Sequence, residues 1–266
     1  MLQTNKHETV LSQDLFNKVP QLTIFFWIIK ILATTVGETA ADFLDSNLDL
    51  GLTNTTFVMS ILLIAVLYYQ FKLNKYVPVV YWSVVVLISI IGTLITDNLV
   101  DNMGVSLVTT TVIFTLALAA TFAAWYASEK SLSIHSIITS RREAFYWLAI
   151  LFTFALGTAA GDLVAESIDL GYWKSALIFA GLIAVVTVAH VRFKLNAVLA
   201  FWIAYILTRP LGASLGDYLS QPREDGGLGL GTVVTSAIFL VTILSLVIYL
   251  TKSRKDENSA VNPVGK

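Results

Sequence analysis

Residues 37–44 read GETAADFL, and the pattern of a glycine, four residues and an aspartate returns at 92–99 as GTLITDNL, at 157–164 as GTAAGDLV and at 212–219 as GASLGDYL. Each copy ends a long apolar run. A second landmark comes before the next run begins: Leu50-Gly51, Met103-Gly104, Leu170-Gly171 and Leu230-Gly231. The two halves also share FKLN, at 71–74 and 193–196, followed by an aromatic-Trp pair, Tyr81-Trp82 and Phe201-Trp202. The repeating unit is a helical hairpin used four times, and self-similarity of this kind dictates a repeat architecture.

The chain has 266 residues, 56% of them hydrophobic and 13% charged, whereas a soluble domain carries about 25% charged residues. Apolar stretches of about 20 residues, each long enough to cross a bilayer core of ~30 Å, occupy 20–44, 55–71, 77–100, 106–127, 145–167, 173–191, 197–219 and 230–251. They are too long and too continuously apolar for barrel strands, which run about 10 residues with alternating polarity. The expected fold is all-α: a polytopic membrane bundle of eight transmembrane helices in four parallel hairpin repeats, a 4+4 duplication. The expected divisions are a cytoplasmic segment at 1–19, a transmembrane domain at 20–251 with repeats at about 20–75, 76–130, 143–195 and 196–251, and a polar cytoplasmic tail at 252–266.

A hairpin enters and leaves on one side, so the four copies are parallel rather than inverted, and their acidic ends share one membrane face. The predicted arrangement is pseudo-symmetric about an axis along the membrane normal, with the polar stripes of the odd helices turned inward. Gly37, Ala40, Ala41, Gly92, Gly157, Ala160, Gly161, Gly212, Ala213 and Gly216 would let those helices approach closely.

A net charge of −1, from 17 Lys+Arg against 18 Asp+Glu, gives no bulk attraction to nucleic acid. Position matters more. Lys6, Lys18, Lys72, Lys75, Lys130, Arg141, Arg142, Arg192, Lys194, Lys252, Arg254, Lys255 and Lys266 fall on one side of the spans, and Lys174 and Arg223 on the other. Basic residues are retained in the cytoplasm, so both termini are expected inside and the acidic ends outside. The first 18 residues lack the apolar run and cleavage site of a signal peptide.

Polar residues within the repeats have helical spacing: Thr34, Glu38, Asp42; Thr93, Asp97, Asp101; Thr158, Asp162, Glu166; and Ala213, Asp217, Gln221. Positions i, i+4 and i+8 share one helix face. The first copy has two registers, because aligning Gly37 with the other glycines matches Asp42, not Glu38, to the repeated aspartate. Lys30 and Arg209 fall near the midplane, where a cation costs about 2.5–3.5 kcal/mol on insertion scales and needs an interior polar site or a carboxylate. Under the alignment of the halves they stand opposite uncharged Phe154 and Ser89. Thr34, Thr93 and Thr158 are candidate oxygen ligands, or bond back to their own helix.

Carboxylates with neither thiolates nor nearby imidazoles suit Mn²⁺, Mg²⁺, Ca²⁺ or protons. There is no cysteine, and His7, His135 and His190 are scattered on the basic side. No nucleotide-binding glycine motif is present, and a Ser-His-Asp triad fails for want of a histidine at the acidic face. No enzyme and no resident cofactor is expected.

The repeated hairpins, Gly37-Glu38 and the Gly-x4-Asp signatures resemble a bacterial integral-membrane family built from four copies of a repeat of unknown function. The resemblance covers about residues 20–250 and implies the eight-span fold and the bacterial inner membrane; it carries no activity with it. The first copy matches most fully, with Lys30, Gly37, Glu38 and Asp42, whereas the fourth lacks a second acid and has Arg209 upstream. The residues themselves predict a secondary transporter of a small cation, with proton-coupled efflux of a divalent, Mn-like metal as the leading reading. Glu38, Asp97, Asp162 and Asp217 would bind ion or proton, joined by Asp42, Asp101 and Glu166, with Lys30 and Arg209 competing for the acids. A passive cation channel and a non-transporting scaffold or sensor are the alternatives. The expected partners are lipid, a small cation and protons.

Overall fold

Helices α1 (Ile24–Asp42), α2 (Leu52–Lys72), α3 (Pro78–Asp97), α4 (Leu107–Glu129), α5 (Ser140–Asp162), α6 (Tyr172–Phe193), α7 (Ala197–Ser220) and α8 (Thr232–Ser253) account for the apolar runs in a computed structural model of the chain. The structure describes residues 17–47, 51–168 and 170–256, with the side chains at 46, 47, 166 and 167 outside that description. Lys6, His7, Asp49, Asp169, Lys266 and the side chain of Glu166 therefore lie outside the described residues. All eight helices are long and apolar enough to span a membrane.

The two largest differences from the expected helix starts have local reasons. Residues 20–23 precede the helix, which begins at Ile24 after an extended Thr23. Helix α5 starts five residues before the apolar run does, because the Thr139 hydroxyl accepts from the Arg142 N–H and caps a polar first turn, Ser-Arg-Arg-Glu.

Odd and even helices do different jobs. Within the spanning cores, 56% to 67% of the residues of α1, α3, α5 and α7 are buried, against 11% to 28% for α2, α4, α6 and α8. The odd helices form a closed inner ring, α1 on α3, α3 on α5, α5 on α7 and α7 on α1. The even helices carry exposed apolar side chains such as Phe57, Ile61, Leu116, Val185 and Val241, a surface that only lipid can cover without cost. Each even helix packs chiefly on the odd helix next in the chain, and α8 closes the circle on α1. Thr56 and Asn98 tie α2 to α3 (2.9 Å), and Thr39 and Ser236 tie α1 to α8 (2.7 Å). The sequence unit is thus the hairpin, whereas the packing unit is offset from it by one helix.

Glycine spacing sets the ring. A Cβ at Gly37 would meet Ser89, one at Gly92 would lie 2.6 Å from the Phe154 Cβ, one at Gly157 would meet Arg209, and one at Gly212 would meet Thr34. In every case the glycine of one odd helix seats the residue three before the glycine of the next. This cyclic rule settles the register: Gly37, Gly92, Gly157 and Gly212 are equivalent, so Asp42 corresponds to Asp97, Asp162 and Asp217. Glu38 corresponds to Thr93, Thr158 and Ala213. The counterpart of Lys30 is then Ile150, not Phe154, while Ser89 remains that of Arg209.

The same register reveals a layer only half visible from the sequence. Phe26-Trp27, Tyr81-Trp82, Tyr146-Trp147 and Phe201-Trp202 stand at equivalent places in all four odd helices. Phe26, Tyr81, Tyr146 and Phe201 are buried, and the eight rings interlock through edge and tilted contacts. They close the half of the bundle away from the aspartates.

At the aspartate end, α1, α3 and α5 each run directly into a π-helical turn, at Phe43–Asn47, Asn98–Asn102 and Leu163–Ser167. Across the wider turn burial falls off, Asp97 being half-buried and Asp101 exposed. The glycines of the second landmark, Gly51, Gly104, Gly171 and Gly231, all have φ between 67° and 80°, the left-handed region that a side chain resists.

Candidate functional site

Arg209 lies on the axis, fully buried, and touches all three other odd helices. Its Nη1 donates to the Thr34 carbonyl on α1 (2.6 Å). Its Nη2 forms an ion pair with Glu38 Oε2 (3.0 Å) and donates to the hydroxyls of Thr93 on α3 and Thr158 on α5 (2.6 Å to Thr158). Its Nε reaches the Phe154 carbonyl (3.4 Å). Guanidinium suits this place because its planar fork supplies several donors at once and never loses its charge. The local sequence explains the position: Gly157 makes room for the Arg209 stem, and Pro210 beside it fits against the same glycine.

Above Arg209 opens a cavity of about 470 Å³ lined by carboxylates: Glu38, Asp42, Asp45, Asp97, Asp101, Asp162 and Asp217, with Gln221, Tyr172 and Thr232 at its wall. Glu38 is 6% and Asp217 7% exposed. Glu38, Asp162 and Asp217, from three different helices, bring one carboxylate oxygen each within 4.8 Å of one another. Gln221 Nε2 reaches Asp42 at 3.5 Å. Arg209 thus pairs with one carboxylate of this vestibule, that of Glu38.

The sequence-predicted residues thus divide by place. Glu38, Asp42, Asp97, Asp101, Asp162 and Asp217 converge on one vestibule, and Asp45, in the π-turn after α1, joins them. The threonines serve Arg209 and the backbone: Thr93 and Thr158 accept from its guanidinium, while the Thr34 hydroxyl donates to Ile31 (2.6 Å) and Thr208 (3.3 Å) carbonyls. Lys30 departs from expectation. Its ammonium reaches no carboxylate and, among the described residues, has no hydrogen-bond partner; it lies over the rings of Phe154 (4.0 Å) and Tyr205 (4.3 Å). Lys30 is one turn before Thr34 on α1, so its four-carbon stem points it toward the aromatic half of the axis instead.

The opposite, basic end is strapped shut. Lys18 pairs with buried Glu143 (2.6 Å), whose other oxygen accepts from Gln70 (3.0 Å). Backbone bonds from Lys18 to Ile137, from Tyr76 to Asn17 and from Gln21 to Asp256 bind this segment to two interhelix loops and to the end of α8. No sequence pattern marked Lys18 or Glu143, since each looks like an ordinary charge beside a span.

A closed ring of parallel hairpins around a buried arginine, open to one end through an acidic vestibule, defines a multi-pass membrane protein of repeated helical pairs. The chain belongs to the family of the Repeat of Unknown Function (DUF347), whose pattern matches residues 25–76, 80–131, 145–196 and 200–256. No curated protein and no solved structure matches it.

Proposed function

We propose that the protein is a secondary transporter of a small cation, exchanging a divalent, Mn-like metal for protons through the acidic vestibule. The observation that carries this reading is the meeting of Glu38, Asp162 and Asp217 within 4.8 Å, directly above a guanidinium that already neutralises Glu38. Hard oxygen donors favour Mn²⁺, Mg²⁺ or Ca²⁺, and a vestibule lined by one sign of charge concentrates cations and repels anions.

Arg209 supplies the competition. A metal that takes Glu38 must displace the guanidinium or share the carboxylate with it, so ion and arginine exclude one another electrostatically. The closed aromatic layer favours a carrier that alternates over a passive channel, which needs a continuous polar path. The excess of Lys and Arg at the strapped end favours that end as cytoplasmic, in a bacterial inner membrane, with the vestibule facing out and export as the direction.

The test is uptake of Mn²⁺ into proteoliposomes with and without a pH gradient. Transport by the wild type that responds to the gradient, and its loss in Glu38→Gln with the protein still inserted, are expected. Gradient-independent flux linear in voltage would indicate the channel; no flux of metal or proton would defeat the reading.

A further inference from the structure

A groove of about 470 Å³ runs down the outside of the bundle between α4 and α7, beginning at the basic end. Phe122 and Tyr126 form its α4 wall and Trp202, Ile203 and Ile206 its α7 wall, while Lys130, Ser131 and Asn196 stand at its mouth. From Asn196 to Ile206 the helix rises about 15 Å, half of a ~30 Å bilayer core. The groove is therefore one leaflet deep. Exposed Tyr126 and the Trp202 ring lie toward its mouth, the depth at which amphipathic rings meet headgroups.

The floor of the groove is fixed. Trp202 Nε1 donates to the Leu132 carbonyl (2.9 Å), and its ring packs edge-on against Phe122 and Trp125, with centroids 4.9 and 5.8 Å away. The mouth carries a positive charge that the protein leaves uncompensated. No carboxylate lines the groove among the described residues, and Glu129, next in sequence to Lys130, is held by Arg142 Nε at 2.9 Å. Lys130 itself is exposed and makes no ion pair among the described residues. Asn196 Oδ1 accepts from the Val198 and Leu199 N–H groups, and its Nδ2 remains a donor.

The first half of the chain repeats the groove without the charge. In the register of the glycines, Leu199, Trp202, Ile203 and Ile206 correspond to Val79, Trp82, Ser83 and Val86, which line a groove between α3 and α8 whose wall has no charged residue. Pseudo-symmetry keeps the apolar walls and breaks at the mouth.

We propose that the α4–α7 groove binds one phospholipid with an anionic headgroup, its phosphate on Lys130 and Asn196 and an acyl chain along Phe122, Ile203 and Ile206. Basic pockets between transmembrane helices select anionic headgroups in this way. The site is independent of the vestibule, which opens at the other end of the bundle.

Native mass spectrometry of the full chain in detergent, titrated with phosphatidylglycerol or phosphatidylcholine, reads the site. The wild type should hold one phosphatidylglycerol more tightly than phosphatidylcholine. Lys130→Asn removes the charge with a residue that accepts the left-handed backbone found there (φ 56°). It should cut the preference by about fivefold, what one basic residue contributes at an anionic surface. Ile203→Trp, which fills the groove, should release the lipid, whereas Lys75→Gln, at the same end but outside the groove, should leave retention unchanged. Equal retention of the two lipids by the wild type overturns the site, as does a preference untouched by both Lys130→Asn and Ile203→Trp. An equal loss in Lys130→Asn and Lys75→Gln overturns it too, since attraction would then belong to the whole basic end.

Discussion

Gly157 faces the Cβ and Cγ of Arg209, so the residue that lets the guanidinium reach the axis is a glycine on the neighbouring helix. The same relation links Gly37 to Ser89, Gly92 to Phe154 and Gly212 to Thr34, and it makes the ring of odd helices a closed cycle of backbone approaches. Small residues are the usual means of packing helices in lipid, where no hydrophobic drive holds them together. Here they also choose what stands at the centre.

Gly157→Ala is therefore expected to overpack the centre, costing about 1–3 kcal/mol, and to displace Arg209. Gly181→Ala, on the lipid-facing α6 with nothing within 4 Å of the added Cβ, should be neutral or gain up to about 1 kcal/mol of helix propensity. Thermal unfolding of both in detergent distinguishes them; equal behaviour would mean that Gly157 is merely one more helical glycine.

Glu38 and Asp42 are separable although both line the vestibule. Glu38→Gln leaves a buried guanidinium without its carboxylate and should cost about 3–5 kcal/mol, part of which Arg209→Met in the same chain restores. Asp42→Asn should cost little by comparison, because among the described residues Asp42 is held by a long contact from Gln221. A double-mutant cycle on unfolding temperature reads the coupling; a Glu38–Arg209 coupling no larger than that of Asp42 with Arg209 would contradict the assignment of Glu38 as the partner of Arg209.

At the basic end, Lys18 and Glu143 are buried on both sides, with side chains 5% and 1% exposed, whereas Arg142 and Glu129 form a more accessible pair at 18% and 17%. Lys18→Met should therefore destabilise by about 3–5 kcal/mol and release the strap, making a cysteine introduced at Asn17 reactive to a water-soluble maleimide. Glu129→Gln should cost about 1 kcal/mol or less and leave Asn17 protected.

Much of this fold is legible in the sequence because four copies of one pattern average out local noise. The eight spans, their parallel sense and the gathering of Asp97, Asp162 and Asp217 at one end come from spacing alone. Register through non-helical geometry does not. The π-turns after Asp42, Asp97 and Asp162 follow from no spacing in the sequence, although Asp97 and Asp101 still line the same cavity across one of them. The Glu38–Arg209 pair is invisible to spacing because it joins α1 to α7 across the axis. Lys30 defies the expectation of a carboxylate partner because a buried cation can rest on aromatic faces as well. The fourfold aromatic-Trp layer is within reach of sequence: aligning the glycines brings in Phe26-Trp27 and Tyr146-Trp147 as its remaining members.

Competition between metal and guanidinium also gives a result with an unusual sign. Arg209→Met should strengthen Mn²⁺ binding in the vestibule, because the internal cation no longer shares Glu38, and should at the same time stop turnover. Titration calorimetry on the purified variant, beside transport in vesicles, checks both halves; weaker binding would show that Arg209 organises the acids instead of competing for them.

The most direct measurement is the electron paramagnetic resonance spectrum of Mn²⁺ titrated into the purified wild type and into Glu38→Gln, Asp162→Asn and Asp217→Asn. The account predicts one tightly held Mn²⁺ per wild-type chain and binding weakened by about tenfold or more in each of the three variants. A wild-type spectrum showing only free aquated Mn²⁺, or binding unchanged in all three variants, would contradict it.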